Sequence, residues 1–231
     1  MNTQDMNTIY LVRHGENPAN LNNEFSYKLV DYSLTLKGRL QAQQTAEYFR
    51  DKNIHEIHTS PLKRTRETAQ IIAETLGLTE ISVIEEFREV NVGALERLPP
   101  SIESWELHDR IVAEWFFGRH EVTFPEGENY LTLLQRMHTG LCQVLANKAG
   151  KNIIIVGHAG IFTIPLRDIC QDVDIEEITQ IVLRNCSITR LELAMREEKL
   201  EGKLRSWGYI GHLSGEAAQF VRTNLVAQAE E

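Results

Sequence analysis

The chain of 231 residues has little cysteine and no long apolar run. Its three cysteines are widely spaced and form no CxxC pair, which is typical of reduced thiols and argues against a disulfide framework; they are Cys142, Cys170 and Cys186. No apolar stretch approaches the roughly 20 residues that a membrane-spanning helix needs. The N-terminus, MNTQDMNTIY, has neither the basic cluster nor the apolar core of a signal peptide. We therefore expect a cytoplasmic protein without membrane contact.

Positive charge is also scarce. The chain carries 24 lysines and arginines against 33 aspartates and glutamates, a formal net charge of -9. Such a balance argues against a general nucleic-acid or membrane-surface binder. An anionic ligand would have to be captured by a local positive pocket. Hydrophobic residues make up 42% of the chain, enough for a substantial core, so we expect one domain over 1–231.

The patterns that are present alternate between strand and helix. Apolar runs at 9–12 and 153–156 are typical of buried strands, and the segments after Thr35, Ser60 and Asn129 have helical spacing. We expect Ser60 to cap the second of these helices, with Gly77 ending it, and Gly150 to end the third. A further helix is expected from Ile161 to Ile169, and the tail from Gly215 is also expected to be helical. Alternation of this kind predicts crossover connections and a mostly parallel sheet. The predicted fold is a three-layer α/β/α sandwich.

One region departs from this alternation. Residues 94–128 contain a double proline and several large aromatic side chains, which predicts a helical insertion, a cap, beside the functional edge of the sheet. Two interpretations of its aromatic cluster remain open, the core of the inserted helix (favoured) or a wall that contacts a ligand. The cluster comprises Trp105, Trp115, Phe116 and Phe117.

Chemically useful side chains follow the predicted strands. Arg13 and His14 come directly after the first strand, and His158 follows the strand at 153–156. Arg64 lies in the first turn of a helix, and Glu89 follows the third strand. In open α/β sheets, ligands bind outside the carboxyl ends of the strands. Two guanidiniums, two imidazoles and a carboxylate gathered there would suit phosphoryl transfer.

A metal site is not expected. His55 and His58 lack HExxH spacing, and alternation along a strand would point them to opposite faces.

The segment LVRHGENPAN resembles the signature of the histidine phosphatase superfamily, the phosphoglycerate mutase-like enzymes. In that signature Arg-His-Gly-Glu is followed by an asparagine six positions after the histidine, here Asn20. Four further blocks resemble the family in the same order: LTLKGRLQAQQTA, TSPLKRTRETA, FREVNVGALE and VGHAG. The resemblance spans Ile9 to Leu166. One departure is Asn17, which stands where the family usually has serine or threonine.

The resemblance implies a metal-independent, cofactor-free phosphatase that hydrolyses a small phosphomonoester through a phosphohistidine. It implies a role for each matched residue: His14 as nucleophile, Glu89 as proton donor and base, Arg13, Arg64 and His158 as phosphate ligands, and Asn20 as a neutral hydrogen-bond donor. The expected partner is a small phosphorylated metabolite, and a homodimer is possible because relatives form dimers.

Two alternatives remain open. Mutases of the family resemble one another in an Arg-Arg-Ser-Tyr segment within the insertion, and this insertion has no paired arginines, which favours the phosphatase over the mutase. A non-catalytic phospho-ligand-binding relative is the other alternative. A weaker hypothesis assigns Arg97, Arg119 or Arg167 to a substrate carboxylate or a second phosphate.

Overall fold

Six strands form one mixed sheet in the computed structural model, which describes residues 6–196 and 199–220. The spatial order is β3-β2-β4-β1-β5-β6. The first four of these strands are mutually parallel. At the other side, β5 pairs antiparallel with β1, and β6 pairs antiparallel with β5. The strand bounds are β1 Asn7–Arg13, β2 Glu56–Thr59, β3 Ile81–Val83, β4 Asn152–Gly157, β5 Ile188–Arg196 and β6 Lys199–Tyr209.

Helices connect and cover these strands. Their bounds are α1 Pro18–Asn22, α2 Leu36–Phe49, α3 Lys63–Leu76, α4 Ile102–Phe116, α5 Tyr130–Leu145, α6 Ala159–Thr163, α7 Leu166–Ile169 and α8 Ile175–Gln180. Short 3-10 helices lie at Glu85–Phe87, Gly93–Arg97 and Gly215–Ala218. Within the described ranges, none of the helices combines the length and apolar character needed to cross a membrane.

Alternate residues of the two central strands bury opposite faces of the sheet. One face packs against α4 and α5, and the other packs against α2 and α3. The first core contains Ile9, Leu11, Ile153, Ile155, Trp115 and Met137, and the second contains Tyr10, Val12, Ile154, Val156, Phe49 and Ile72. Because both faces are covered by helices, the predicted three-layer α/β/α sandwich with a helix inserted at 102–116 is confirmed.

The predicted cap of α3 is wrong. The helix begins at Lys63 after Leu62, which makes no side-chain cap hydrogen bond, so Ser60 and Pro61 lie outside the helix. The Thr65 hydroxyl donates to the carbonyls of Ser60 (2.8 Å) and Leu62 (2.7 Å) and fixes this entry turn. The hydroxyl of Ser60 is used elsewhere, beside His158. Gly77 does end the helix, at a left-handed φ of 70°.

Two other helix predictions are also too long. Helix α5 stops at Leu145, five residues before Gly150, since Asn147 adopts a left-handed φ of 58°. The helix expected from Ile161 to Ile169 is divided into α6 and α7 at Pro165, which has no N–H to continue the first helix. The predicted helical tail is a single 3-10 turn from Gly215, and its remainder after Phe220 lies outside the described residues.

Candidate active site

The two histidines lie side by side at the carboxyl edge of the sheet. Strands β1 and β4 are adjacent and parallel, with Arg13 opposite Gly157 in the register. His14 and His158 are the next residues along each strand, and their ring centroids are 5.3 Å apart at an interplanar angle of 60°. The pairing of two parallel strands therefore places together two residues that are 144 positions apart.

His14 is held in one tautomer. Its side chain is buried, and Nδ1 lies 2.8 Å from the carbonyl oxygen of Gly15. A carbonyl only accepts, so Nδ1 carries the proton and Nε2 keeps a free lone pair. Burial holds the pKa of His14 well below its usual value, and the guanidiniums of Arg64 and Arg13 lower it further. At neutral pH His14 is therefore an uncharged imidazole with an available nitrogen.

Gly15 lets this turn pack directly on the next helix. A Cβ at Gly15 would overlap the carbonyl of Gly38, and a Cβ at Gly38 would overlap the carbonyl of Glu16. Gly38 lies in the first turn of α2, where Thr35 caps its N–H. The backbone at Gly15 thus packs directly against the backbone at Gly38, and this contact fixes the loop after β1.

Arg64 and His158 share a hydrogen bond. Arg64 Nη2 donates to His158 Nδ1 (3.0 Å), while Nη1 and Nη2 donate to the hydroxyl and carbonyl of Ser26 (both 2.7 Å). Because a guanidinium only donates, the His158 proton lies on Nε2 and is donated to the hydroxyl of Ser60 at 2.8 Å. Burial lowers the pKa of Arg64 to about 10 and lowers that of His158 well below its usual value.

Ser26 belongs to a loop that is held by a buried glutamate. One carboxylate oxygen of Glu96 accepts hydrogen bonds from four successive N–H groups, those of Tyr27 (2.7 Å), Lys28 (2.7 Å), Leu29 (2.8 Å) and Val30 (3.2 Å). Glu96 lies in the 3-10 helix Gly93–Arg97, 66 to 69 positions along the chain from its donors. Nothing in the sequence indicated this contact, because it depends on where the loop at 26–30 passes.

Arg13 faces the same space from β1. Its Nη1 donates to the carbonyl of Leu183, and its Nε is buried without a hydrogen-bond partner among the described residues. Burial lowers the pKa of Arg13, and the carboxylate of Glu89 opposes that shift. The guanidinium of Arg13 thus has a donor, Nε, that no described residue engages, and it feels the charge of the Glu89 carboxylate.

The carboxylate of Glu89 rests on the N-terminus of α6. It accepts from the N–H groups of Gly160 (3.2 Å) and Ile161 (3.0 Å). A side chain at Gly160 would meet Glu89 Oε1 at 2.7 Å, so this close approach needs glycine. Arg136, which forms an ion pair with Glu128 (2.8 Å), donates to the carbonyls at 86, 88 and 89 and supports the loop. The arginine was not identified from the sequence.

Two asparagines complete this edge. Asn17 caps α1, its Oδ1 accepting from the N–H of Ala19 at 2.8 Å, and its Nδ2 is buried without a hydrogen-bond partner among the described residues. Asn20 Oδ1 accepts from the N–H of Asn17 (3.2 Å) and from Asn185 Nδ2 (3.0 Å). Asn185 also reaches the carbonyl of His14 (3.0 Å). Asn17, which replaces the expected hydroxyl, therefore presents an amide donor.

A cavity of about 540 Å³ opens over these groups. Its polar end comprises Arg13, His14, Asn17, Asn20, Arg64 and Glu89. The predicted site residue that does not line it is His158, which lies behind Arg64 and is completely buried. The apolar wall comes from one face of α4 and from nearby loops, and comprises Phe25, Trp105, Val112, Phe116, Ile164 and Val182.

The aromatic cluster of the insertion is divided between two environments. Trp115 is fully buried in the core, whereas Trp105 and Phe116 line the cavity. Phe117 is 79% exposed and does neither. The favoured interpretation, a core of the inserted helix, is correct for Trp115. Trp105 and Phe116 also pack against that core, but their helix face lines the cavity as well, so both interpretations hold for them.

The three arginines proposed for a second anionic group lie elsewhere. Arg97 pairs with Glu126 (2.5 Å), Arg119 pairs with Glu114, and Arg167 contacts His120 (2.9 Å) and Asp168 (3.5 Å). None of them lines the cavity, so that hypothesis is wrong.

His55 and His58 have protein partners. His58 Nε2 lies 3.0 Å from a carboxylate oxygen of Glu56, and His55 Nδ1 accepts from the N–H of Asn152 at 3.1 Å. Over the parts of the chain that the structure describes, no group of three or more His, Cys, Asp or Glu side chains is arranged to hold a metal ion.

An arginine- and histidine-lined cavity at the carboxyl edge of a mostly parallel sheet defines a class of α/β proteins equipped to bind a phosphate group. The chain belongs to the histidine phosphatase superfamily (branch 1), whose model matches residues 9–203. A curated relative from Escherichia fergusonii, "Probable phosphoglycerate mutase GpmB", is 32% identical over 215 residues, covering 90% of this chain and 96% of the relative.

Solved structures of the same fold carry phosphatase and hydrolase names. "Phosphoserine Phosphatase in complex with 3-Phosphoglyceric Acid" from Entamoeba histolytica is 26% identical, with a TM-score of 0.71 over 90% of this chain and 100% of that one. "Mycobacterial hydrolase 2" has a TM-score of 0.73 over 98% of this chain and 99% of that one, at 20% identity, and shows the fold alone.

Proposed function

We propose that the protein is a phosphomonoesterase that hydrolyses a small-molecule phosphate ester through a phosphohistidine on His14, without a metal ion. The observation that carries the proposal is the meeting of His14, Arg13, Arg64 and Glu89 at one end of a cavity that is large enough for a small organic molecule.

His14 supplies the nucleophile. The lone pair of Nε2 attacks phosphorus, the bond from phosphorus to the ester oxygen breaks, and the departing alkoxide takes a proton from Glu89. Water then attacks the phosphohistidine, gives its proton to Glu89 and releases inorganic phosphate and neutral His14. Two features support this role, namely the hydrogen bond that keeps the proton on Nδ1 and the lowered pKa that keeps the ring uncharged.

The arginines neutralise the phosphate. Arg13 has a donor at Nε that no described residue engages, and Ser26 and His158 hold Arg64 in position by hydrogen bonds. Guanidinium forks match phosphate oxygens and stabilise charge that develops in the transition state. Asn17 and Asn20 would add neutral amide donors. Both ring nitrogens of His158 form hydrogen bonds, to Arg64 and to Ser60. We therefore propose that His158 mainly orients Arg64, and that it contacts phosphate only if one of these two hydrogen bonds breaks.

A phosphoglycerate mutase is the second candidate, and the name of the curated relatives favours it. A mutase must also hold a second charged group while water is excluded. Among the described residues that line the cavity, Arg13 and Arg64 are the only arginines or lysines. Both are at the polar end, which favours hydrolysis of a singly phosphorylated substrate.

The test is hydrolysis of para-nitrophenyl phosphate in the presence of a chelator. Wild-type protein should release phosphate, and His14→Ala should lower kcat/KM by at least about 1,000-fold, since the nucleophile is lost. His138→Ala, a half-buried histidine on α5 outside the cavity, serves as the matched control and should keep wild-type activity.

Rapid quenching with radiolabelled substrate should in addition capture an acid-labile, base-stable phosphoryl group on the wild-type chain and none on His14→Ala. Undiminished turnover by His14→Ala, or loss of activity on chelation, would contradict the mechanism. Conversion of 3-phosphoglycerate into 2-phosphoglycerate, with a bisphosphorylated primer to load the histidine, at a rate that exceeds hydrolysis would favour the mutase.

A further inference from the structure

The cavity is much larger than the phosphate group that its polar end would bind. At about 540 Å³ it lies within the range of cavities that enclose a whole small organic ligand, about 300–1,000 Å³. Once phosphate occupies the polar end, the rest of the cavity must receive the alcohol part of the ester. The chemistry of the remaining wall therefore selects the substrate.

That wall is apolar and in part aromatic. The rings of Phe25 and Trp105 lie with centroids 4.3 Å apart and planes tilted by 32°. The indole N–H of Trp105 donates to the carbonyl of Asn23 (3.0 Å), which fixes the ring, and the part of the ring that Phe25 does not cover lines the cavity. Opposite it, Ile181 and Val182 are 48% and 60% exposed and also line the cavity. When an apolar group of a ligand covers aliphatic side chains that are exposed in this way, the burial of apolar surface stabilises the complex.

The charges that line the cavity beyond the polar end are acidic. Glu24 and Asp109 both line it, and Asp109 Oδ1 lies 2.8 Å from His108 Nδ1. No lysine or further arginine joins them within the described ranges. A carboxylate or second phosphate on the substrate would therefore lie near two acidic side chains, with His108 already paired to Asp109 and no lysine or further arginine among the described lining residues to bind it, which is unfavourable.

From these observations we infer that the preferred substrates are monophosphate esters of uncharged alcohols with a large apolar or aromatic group, not phosphorylated carboxylic acids or bisphosphates. The inference rests on the proposed phosphatase function. The phosphate enters at Arg13 and Arg64, and the apolar group stacks on Trp105 and covers Val182.

Three esters of primary alcohols separate leaving-group reactivity from recognition. They are 3-phenylpropyl phosphate (apolar), glycerol 3-phosphate (neutral and polar) and 3-phosphoglycerate (anionic). We expect kcat/KM to fall in that order, with 3-phenylpropyl phosphate favoured over 3-phosphoglycerate by at least about tenfold. An equal or higher kcat/KM for 3-phosphoglycerate would overturn the inference.

Two variants locate the selectivity. Trp105→Ala should lower the ratio of kcat/KM for 3-phenylpropyl phosphate over glycerol 3-phosphate by about tenfold, because the stacking surface is lost. Phe117→Ala removes a neighbouring aromatic ring that lies outside the cavity and should leave that ratio unchanged. An unchanged ratio in Trp105→Ala would contradict the assignment of this wall.

Val182→Lys provides a test that does not remove core material, since Val182 is 60% exposed. A cation at this position should raise kcat/KM for 3-phosphoglycerate by about threefold to fivefold, the scale of one exposed ion pair. No gain would count against the inference. The two proposals can be told apart by their failures. If para-nitrophenyl phosphate is hydrolysed but the order of the three esters is reversed, only this inference is contradicted. If none of the esters is hydrolysed, both proposals are contradicted.

Discussion

The two parts of the cavity are built in different ways. The polar end brings together side chains from three separate segments, residues 13–20, Arg64 and Glu89, and most of its polar atoms have a named partner. The apolar wall instead contains one continuous surface, the face of α4 at 105, 112 and 116, which residues of nearby loops extend. The difference implies that phosphate recognition depends on one fixed geometry, whereas the choice of alcohol depends on surface that can be changed one residue at a time.

The largest effect expected beyond loss of the nucleophile comes from a residue that does not line the cavity, Glu96. Glu96→Ala leaves four N–H groups at 27–30 without their shared acceptor, so the loop that carries Ser26 loosens and Arg64 loses two of its partners. We expect kcat/KM for para-nitrophenyl phosphate to fall by about 100-fold, the scale of losing one charge-stabilising donor. Steady-state kinetics measure the change.

The variant Glu96→Gln tests whether Glu96 acts by positioning the 26–30 loop or only by stabilising the fold. The amide oxygen of glutamine can still accept in the same place, although more weakly than a carboxylate, so this variant should recover most of the activity. Glu106→Ala, an exposed glutamate on α4, should behave as wild type. If Glu96→Ala lowers the melting temperature without changing kcat/KM, Glu96 merely stabilises the fold.

The sequence predicts the polar end better than the apolar wall for a physical reason. Strand ends in a parallel sheet must meet at one edge, so Arg13, His14 and the residue after β4 could be placed from periodicity and strand order alone. The α/β/α layers follow from the same alternation. The helix ends were less predictable, because Ser60 was drawn away from capping by a tertiary contact with His158.

The apolar wall depends on how the insertion docks. Sequence spacing shows that Trp105, Trp115 and Phe116 lie on a helix, but the face turned to the cavity follows from the packing of α4 over Phe25 and Phe124. Long-range contacts such as Glu96 with the 26–30 loop and Arg136 with the Glu89 loop have no local signal either. They are satisfied only once the tertiary path is set.

A smaller effect is expected at Asn17, whose two ends have separate tasks. Its Oδ1 caps α1, while its Nδ2 lies beside the cavity and has no hydrogen-bond partner in the described part of the chain. Asn17→Asp keeps the cap but replaces the donor with a charged acceptor, so kcat/KM should fall by about tenfold with little change in melting temperature. Asn17→Ser keeps both a cap and a donor, so its kcat/KM should fall less than that of Asn17→Asp. Equal activity in Asn17→Asp and wild type would show that Nδ2 does not bind phosphate.

The smallest expected effect is on stability. Because His58 and His212 outside the cavity also have lowered pKa values, the part that belongs to the polar end is measured by comparison with a His158 variant. The pKa values of His14 and His158 lie below their usual value in the folded protein, so below about pH 6.5 the unfolded chain binds protons that the folded chain does not. The free energy of unfolding should therefore decline as pH falls through that value, at a limit of about 1.4 kcal/mol per pH unit for each histidine. Urea unfolding at about pH 7, 6 and 5.5 measures this slope while most carboxylates stay ionised in both states. His158→Asn removes one of the two groups and should flatten the slope; a variant slope equal to that of wild type would mean that His158 is protonated as readily in the folded protein as in the unfolded chain.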